Sequence, residues 1–255
     1  VGMGKEKRMK PRTDVAIPER YVSMSNSLAR GAQGLNLSQK RILAMAMAMT
    51  DSVPAKDLMD GQRNGWTVRL NAHDYAETYD VDIHTAYDQL KSGARSLLKT
   101  LWTTVRKEGR SMITTQGQWL SLAEYRKDEA VVDIRFHEKV APHLLGLRKQ
   151  FTTYKLKQAS ALRSIYAWRL FECLRSWKAK GRWIVDVEEF AKIMEAPPSC
   201  SKDFFNLNNR VIQPSLKELR EKDNIEITLD LVKGGRKVTG LCFTFRTNPQ
   251  GRLNV

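Results

Sequence analysis

The chain has 255 residues, 42% of them hydrophobic, and its 43 lysines and arginines against 28 acids give a formal net charge of +15. That apolar content excludes wholesale disorder, and the length allows two domains of ordinary size. No apolar run reaches the roughly 20 residues that span a bilayer, and the basic start VGMGKEKRMKPRTDV has no apolar stretch behind it to serve as a secretory signal. A surface this cationic favours a polyanion as partner, nucleic acid ahead of an anionic membrane.

Residues 1–20 carry Lys5, Lys7, Arg8, Lys10 and Arg12 among their basic side chains, two prolines and almost no apolar periodicity, which reads as a flexible basic arm. A first helix is expected near Ser25–Ala32 and a second from an N-cap at Ser38 to Met49. After a loop containing Pro54, Gly61 and Gly65 comes a short strand, Trp66–Leu70. Asn71 caps a helix to about Tyr79, and Asp82 caps another from Ile83 to Lys99. Alternating segments at Leu101–Arg106, Ser111–Leu122 and Ala130–Phe136 read as an antiparallel sheet. In the second half, Ala159–Lys178 is apolar around most of its circumference and reads as one long, mostly buried helix ended by Gly181. A short strand (Trp183–Val185), a helix (Val187–Met194), a Pro197-Pro198 break and a helix over Lys202–Glu221 follow. Strands Ile225–Leu231 and Val238–Phe245 close on a Gly234-Gly235 turn.

Both halves thus run helix, short strand, helix, helix, hairpin. WTVRLNAHDYAETY also lies on WIVDVEEFAKIM with a two-residue gap, matching Trp66 to Trp183, Val68 to Val185, Tyr75 to Phe190 and Ala76 to Ala191. A repeat of this kind argues for two copies of one domain. Helix, helix and hairpin behind a short strand is the winged-helix form of helix-turn-helix, whose second helix enters the major groove. The fold class is therefore α+β, two tandem winged-helix domains: an arm over 1–20, an N-terminal domain over 21–145 for DNA contact, and a C-terminal domain over 146–255 for the main recognition.

Catalytic signatures are missing from the sequence. There is no GxxxxGK[ST] loop, and His73, His84, His137 and His143 lack the spacing of metal ligands. Tyr87, Tyr125 or Tyr154 would be chemically competent to attack a phosphodiester, but no histidine or arginine constellation accompanies them. Cys173, Cys200 and Cys242 are few, odd in number and far apart, as in a reducing cytoplasm. The chain reads as a DNA binder rather than an enzyme, with no cofactor. Between Arg148 and Arg182 ten basic residues stand against one acid, Glu172; they form either a phosphate-facing surface, Lys155 and Lys157 included, or a solvated face with stems over the core. The helix over 202–221 opens with Lys202, Asn206, Asn208, Asn209, Arg210 and Gln213, donors suited to guanine and adenine edges, or else a plain polar face. Pro214 is expected to bend it. Its first-half counterpart offers His84, Thr85, Tyr87, Lys91 and Arg95, with Asp88 as a repulsive element. Wing charges are expected from Arg106, Lys107 and Arg110 in the first half and from Lys233, Arg236 and Lys237 in the second.

Four segments add a family resemblance. FTTYKL (Phe151–Leu156), SIYAWRLFECL (Ser164–Leu174), RVIQPSLKEL (Arg210–Leu219) and GRKVTGLCFTFR (Gly235–Arg246) resemble, in order, the signature of the iteron-binding plasmid replication initiators of the RepE/RepA/π type. The resemblance implies two winged-helix domains that bind one repeat across successive grooves, monomers acting on direct repeats at a plasmid origin and helping to melt adjacent A·T-rich DNA. It also implies dimers, joined through the N-terminal domain, that bind an inverted repeat and repress their own gene, a cytoplasmic location, and a host initiator, replicative helicase and chaperones as partners. The main base contacts carry over to Asn208, Asn209 and Arg210. A dedicated tandem winged-helix repressor is the nearest alternative, and a DNA-nicking relaxase the one from a different class.

Overall fold

The computed structural model describes residues 15–50, 66–144, 151–223 and 225–247. Most of the arm (1–14), the loop with Pro54, Gly61 and Gly65, and residues 145–150 lie outside the described residues. Residues 15–20 are folded instead of forming part of a flexible arm. They make a 3₁₀ turn at Ile17–Glu19, and the Arg20 guanidinium donates to the Val15 carbonyl at 2.8 Å. β1 (Tyr21–Ser25) and α1 (Asn26–Arg30) follow, with the Ser25 hydroxyl accepting from the Leu28 amide. Helix α2 (Leu37–Met49) starts before the expected Ser38 cap. Asn36 caps it through a reciprocal box with Gln39, and Ser38 donates to the Asn36 side chain at 2.9 Å.

The first winged helix is β2 (Trp66–Asn71), α3 (Ala72–Tyr79) and α4 (Ile83–Leu97), capped by Asn71 and Asp82 as the sequence indicates. Four strands follow: β3 (Leu101–Glu108), β4 (Ser111–Gln118), β5 (Leu120–Arg126) and β6 (Val131–Phe136). The expected Ser111–Leu122 strand is broken at Trp119, whose indole is buried and donates to the Gln33 carbonyl at 2.9 Å. The break divides the expected sheet into a β3–β4 hairpin and a three-stranded sheet of order β2-β6-β5.

After the short α5 (Ala141–Leu144), β7 (Phe151–Lys155) pairs antiparallel with β1, Tyr21 opposite Lys155. A domain cut at 145/146 would separate these partner strands. The expected long helix is two: α6 (Lys157–Ser160), then α7 (Ile165–Ser176), N-capped by Ser164. Ala167 to Leu174 are buried without a break, so α7 is the central helix, and at about 1.5–3 kcal/mol per fully buried large apolar side chain it anchors both halves. β8 (Arg182–Asp186), α8 (Val187–Ile193) and a four-residue α9 (Pro198–Ser201) lead to a continuous helical stretch: α10 (Phe204–Leu207), a π turn (Asn208–Ile212) and α11 (Gln213–Asp223). The π turn lies just ahead of Pro214, which has no amide to give the Arg210 carbonyl, and the Gln213 amide reaches Asn208 instead. β9 (Ile225–Gly234) and β10 (Lys237–Thr247) close the chain in a sheet of order β8-β10-β9. Gly234 pairs with Lys237, so the turn is Gly235-Arg236 rather than Gly234-Gly235, and Gly235 takes the left-handed φ of +66° that the tight turn requires.

The repeat in the sequence is a repeat in space. Trp66 sits opposite Phe136 on β6, and Trp183 opposite Phe243 on β10; Val68 faces Ile134, and Val185 faces Leu241. Tyr75 and Phe190 are both fully buried. The correspondence also continues beyond the matched segment. Asp80 (φ 51°) and Glu195 (φ 52°) follow α3 and α8 in the left-handed region, and in each copy the next amide bonds back to the matched alanine, Val81 to Ala76 and Ala196 to Ala191.

Candidate nucleic-acid interface

In a winged helix the second helix and the wing face the duplex. Asp203 caps the 204–223 helical stretch, accepting from the Phe205 amide at 2.9 Å. Leu207, Val211, Ile212, Leu216 and Leu219 turn inward, which leaves Asn209, Arg210, Gln213 and Lys217 on the exposed face. The six expected readers divide. Lys202 precedes the helix and is exposed. The Asn206 amide donates to Asp203 Oδ2 at 2.7 Å, and Gln213 donates to Asn208 Oδ1 at 3.1 Å, so those three are partly engaged within the protein. Asn209 and Arg210 have no side-chain partner among the described residues. At the tip of the β9–β10 wing, Lys233, Arg236 and Lys237 are all exposed.

In the first half, His84, Lys91 and Arg95 are exposed on α4, whereas Thr85 and Tyr87 are half-buried, Tyr87 against the core. Thr85, Asp88, Gln89, Lys91, Arg95 and Lys99 line one open trough along this helix. Arg106, Lys107 and Arg110 are exposed on the β3–β4 hairpin, with Arg106 3.2 Å from Glu108. The matching sheet orders identify the first wing as β5–β6 instead, so these three residues are not the counterparts of Lys233, Arg236 and Lys237. Arg126 and Lys127 at the β5–β6 turn were missed. Arg126 reaches Asp133 at 3.0 Å, and Arg69 grips the same carboxylate with two bonds, at 2.8 and 3.0 Å. Hydrogen bonding from Arg69 and then Arg126 holds the Asp133 carboxyl below its ordinary value. Lys127 in a turn beside a strand was a legible cue, hidden by reading β4 and β5 as one strand.

Part of the basic run of the second half is structural. Arg169 is buried and donates to the carbonyls of Ala29 (3.1 Å), Gly31 (2.6 Å) and Ile193 (3.0 Å). Arg163 donates to the Tyr79 carbonyl at 2.8 Å. Lys155 and Lys157, expected on DNA, both clasp Glu19, at 3.0 and 2.5 Å, and pull its pKa down to about 2. Arg148 and Lys149 lie outside the described residues, and Lys178, Lys180 and Arg182 are exposed. Beneath them lies a buried polar network. Lys40 Nζ meets Glu172 Oε2 at 2.6 Å and Gln33 Oε1 at 2.8 Å, and the Tyr154 hydroxyl donates to Glu172 Oε1 at 2.8 Å.

Of the tyrosines considered as nucleophiles, Tyr154 is therefore a core residue whose pKa burial drives well above the ordinary value, while Tyr125 is exposed on β5. Among the described residues, no three His, Cys, Asp or Glu side chains are grouped to hold a metal ion, and no helix is long and apolar enough to cross a membrane.

Two family models match the chain, one described as initiator replication protein, WH1, over residues 21–175, the other as initiator Rep protein, WH2, over residues 186–245. The chain belongs to the initiator replication protein family. The winged-helix pair of this initiator is also that of the family, and the two models divide the chain after α7 rather than before β7. The initiator is 29% identical over 204 residues to an uncharacterized 27.6 kDa protein of Escherichia coli, covering 79% of this chain and 85% of that one. It is 28% identical over 114 residues to a probable replication protein of Bifidobacterium longum (strain NCC 2705), covering 45% of this chain and 38% of the other. Its fold is similar to that in the crystal structure of the Pi initiator protein in complex with iteron DNA, with a TM-score of 0.72 at 20% identity, over 91% of this chain and 99% of that one.

Proposed function

We propose that this initiator binds direct repeats (iterons) at a plasmid origin with both winged helices, deforms the duplex to help open it, and recruits host replication proteins, with no active site of its own. The observation that carries the reading is the twice-built strand-helix-helix-wing unit whose second helix in the C-terminal copy exposes Asn209 and Arg210 without side-chain partners. Arginine pairs bidentately with guanine and asparagine with adenine, while the exposed lysines and arginines of wing and helix meet phosphates. Two modules on one chain bind with a raised effective concentration. A monomer–dimer equilibrium is part of the proposal, dimers repressing the initiator's own gene from an inverted repeat. Leu101, Val105 and Met112, exposed at 47%, 52% and 65% on the extra β3–β4 hairpin, support an association surface in the N-terminal half. Host initiator, helicase and chaperones are the proposed partners, and the cytoplasm the proposed site of action.

Footprinting of the full chain on DNA flanking its gene tests this. Protected direct repeats are expected; protection of a lone palindrome would favour a dedicated repressor. Incubation with supercoiled origin DNA and Mg²⁺ or Mn²⁺ is expected to leave both strands intact, and a covalent tyrosyl–DNA adduct would overturn the proposal.

A further inference from the structure

Phe205 is exposed at 72%, the most exposed large hydrophobic side chain among the described residues. Its position is fixed: its amide is held by the Asp203 cap, Phe204 is half-buried, and Leu207 is fully buried, so the helix phase turns residue 205 outward. It begins the exposed stripe that continues through Asn209, Arg210 and Gln213, with Lys202 just ahead. In the first turns of that stripe every other side chain reaching out is polar or charged. A docking surface for an apolar protein partner would need a contiguous patch, and Phe205 stands among cations and amides instead.

A helix laid into the major groove meets donors, acceptors and one apolar feature, the C5-methyl group of thymine. The N-terminal residues of a recognition helix are those that reach base edges. We propose that Phe205 is a specificity-determining residue that packs against the methyl group of a thymine and makes one A·T pair of the bound site legible to this initiator. This rests on the reading of the 204–223 stretch as the groove-reading helix.

The test uses the full chain, Phe205→Ala and Phe205→Leu. Each protein selects duplexes from a randomised pool, and the duplex chosen by the unsubstituted chain is then remade with deoxyuridine in place of single thymines. The unsubstituted chain is expected to lose about four-fold in affinity at one position, the worth of one buried methyl group. Phe205→Ala is expected to bind the selected duplex on the order of ten-fold more weakly, to lose its preference at that pair alone, and to ignore deoxyuridine there. Phe205→Leu is expected to retain part of the preference. Unchanged selection and deoxyuridine sensitivity in Phe205→Ala would overturn the inference, as would an equal loss on random DNA, which would make Phe205 an unspecific wedge. A change in self-association with DNA binding intact would also overturn it, by placing Phe205 on a protein interface. Failure of the unsubstituted chain to enrich any sequence would remove the underlying DNA reading itself, a result distinct from the others.

Discussion

Replacing Glu172 with glutamine leaves Lys40 in the core without its counterion. The two groups meet at 2.6 Å with side-chain exposures of 1% and 0%. At an effective dielectric constant of about 20 their attraction is about 6 kcal/mol, which offsets a desolvation cost of several kcal/mol for each ion. In Glu172→Gln the Gln33 Oε1 acceptor remains at 2.8 Å, and the Arg169 guanidinium nearby opposes a second cation. The resulting cost has a ceiling, because Lys40 can release its proton. Neutralising a lysine of ordinary pKa costs about 5 kcal/mol at pH 7 and about 2 kcal/mol at pH 9. Burial already pushes the Lys40 pKa down while Glu172 holds it up, so removing Glu172 widens the gap from the unfolded value. Between the folded and unfolded pKa the unfolded chain binds more protons, and stability therefore rises with pH across that window. Urea unfolding followed by tryptophan fluorescence, with Trp168 one turn away on α7, is expected to show a deficit of about 3–5 kcal/mol at pH 7 that falls by more than half at pH 9. The double variant Lys40→Met/Glu172→Gln is expected to recover most of the loss. A deficit independent of pH, or a double variant no better than Glu172→Gln, would refute the argument.

Arg210→Ala is expected to cost about 1–3 kcal/mol on specific DNA and little on random DNA, as read by fluorescence anisotropy; equal losses on both would make Arg210 a phosphate contact. Lys233→Ala or Lys237→Ala is expected to weaken all DNA alike and reduce the slope of log affinity against log salt by about one, and an unchanged slope would remove the wing from the interface. Glu19, held at a pKa of about 2 by Lys157 and Lys155, contributes stability that is present above pH 4.5 and lost as pH falls toward 2. Glu19→Gln is therefore expected to flatten acid unfolding in that range, measured by circular dichroism. Glu195→Ala removes the acceptor for two backbone amides and is expected to cost about 1–3 kcal/mol in urea unfolding, with Glu195→Gly closer to the unsubstituted chain because glycine tolerates the left-handed backbone. Equal stability of Ala, Gly and Glu at 195 would mean that the contact stabilises nothing.

What was legible in the sequence was local. Alternation puts Trp66 and Trp183 on short strands ahead of helices, and each lands opposite a phenylalanine on the central strand of its sheet. The wing residues Lys233, Arg236 and Lys237 were placed by a glycine turn between alternating strands. What was hidden depends on partners far away in the chain. Nothing local in Tyr21–Ser25 or Phe151–Lys155 announces that they pair with each other. Arg169 looks in sequence like any other cation of its run, yet it turns inward to the carbonyls of Ala29, Gly31 and Ile193. The β3–β4 hairpin imitates a wing because Gly109, with φ +60°, gives it the same turn chemistry; only the strand order identifies β5–β6 as the equivalent pair. The π turn was likewise outside the reach of periodicity, since Pro214 is visible but the five-residue hydrogen bond that accommodates it is not.

Of the two left-handed acidic residues, Glu195 ties one copy to the other. Asp80 and Glu195 occupy matching positions after the first helix of each winged unit, where a side chain costs on the order of 1–2 kcal/mol relative to the right-handed region. A glycine would avoid that cost, and each acid makes a contact distant in sequence, that of Asp80 within the first half and that of Glu195 across the halves. Asp80 lies 3.6 Å from the Arg163 guanidinium, which also bonds the Tyr79 carbonyl. Glu195 accepts from the Gln33 amide at 3.0 Å and from the Gly34 amide at 2.9 and 3.1 Å, beside the Arg169 that joins α7 to the carbonyls of Ala29 and Gly31. The Asp80 pair is solvent-exposed and weak; the Glu195 clasp makes three hydrogen bonds, the one to the Gln33 amide part-buried and the two to the Gly34 amide exposed. The Glu195 contact thus joins the second copy to the segment between α1 and α2, and on the proposed reading it bears on how the two groove-reading helices are set relative to each other.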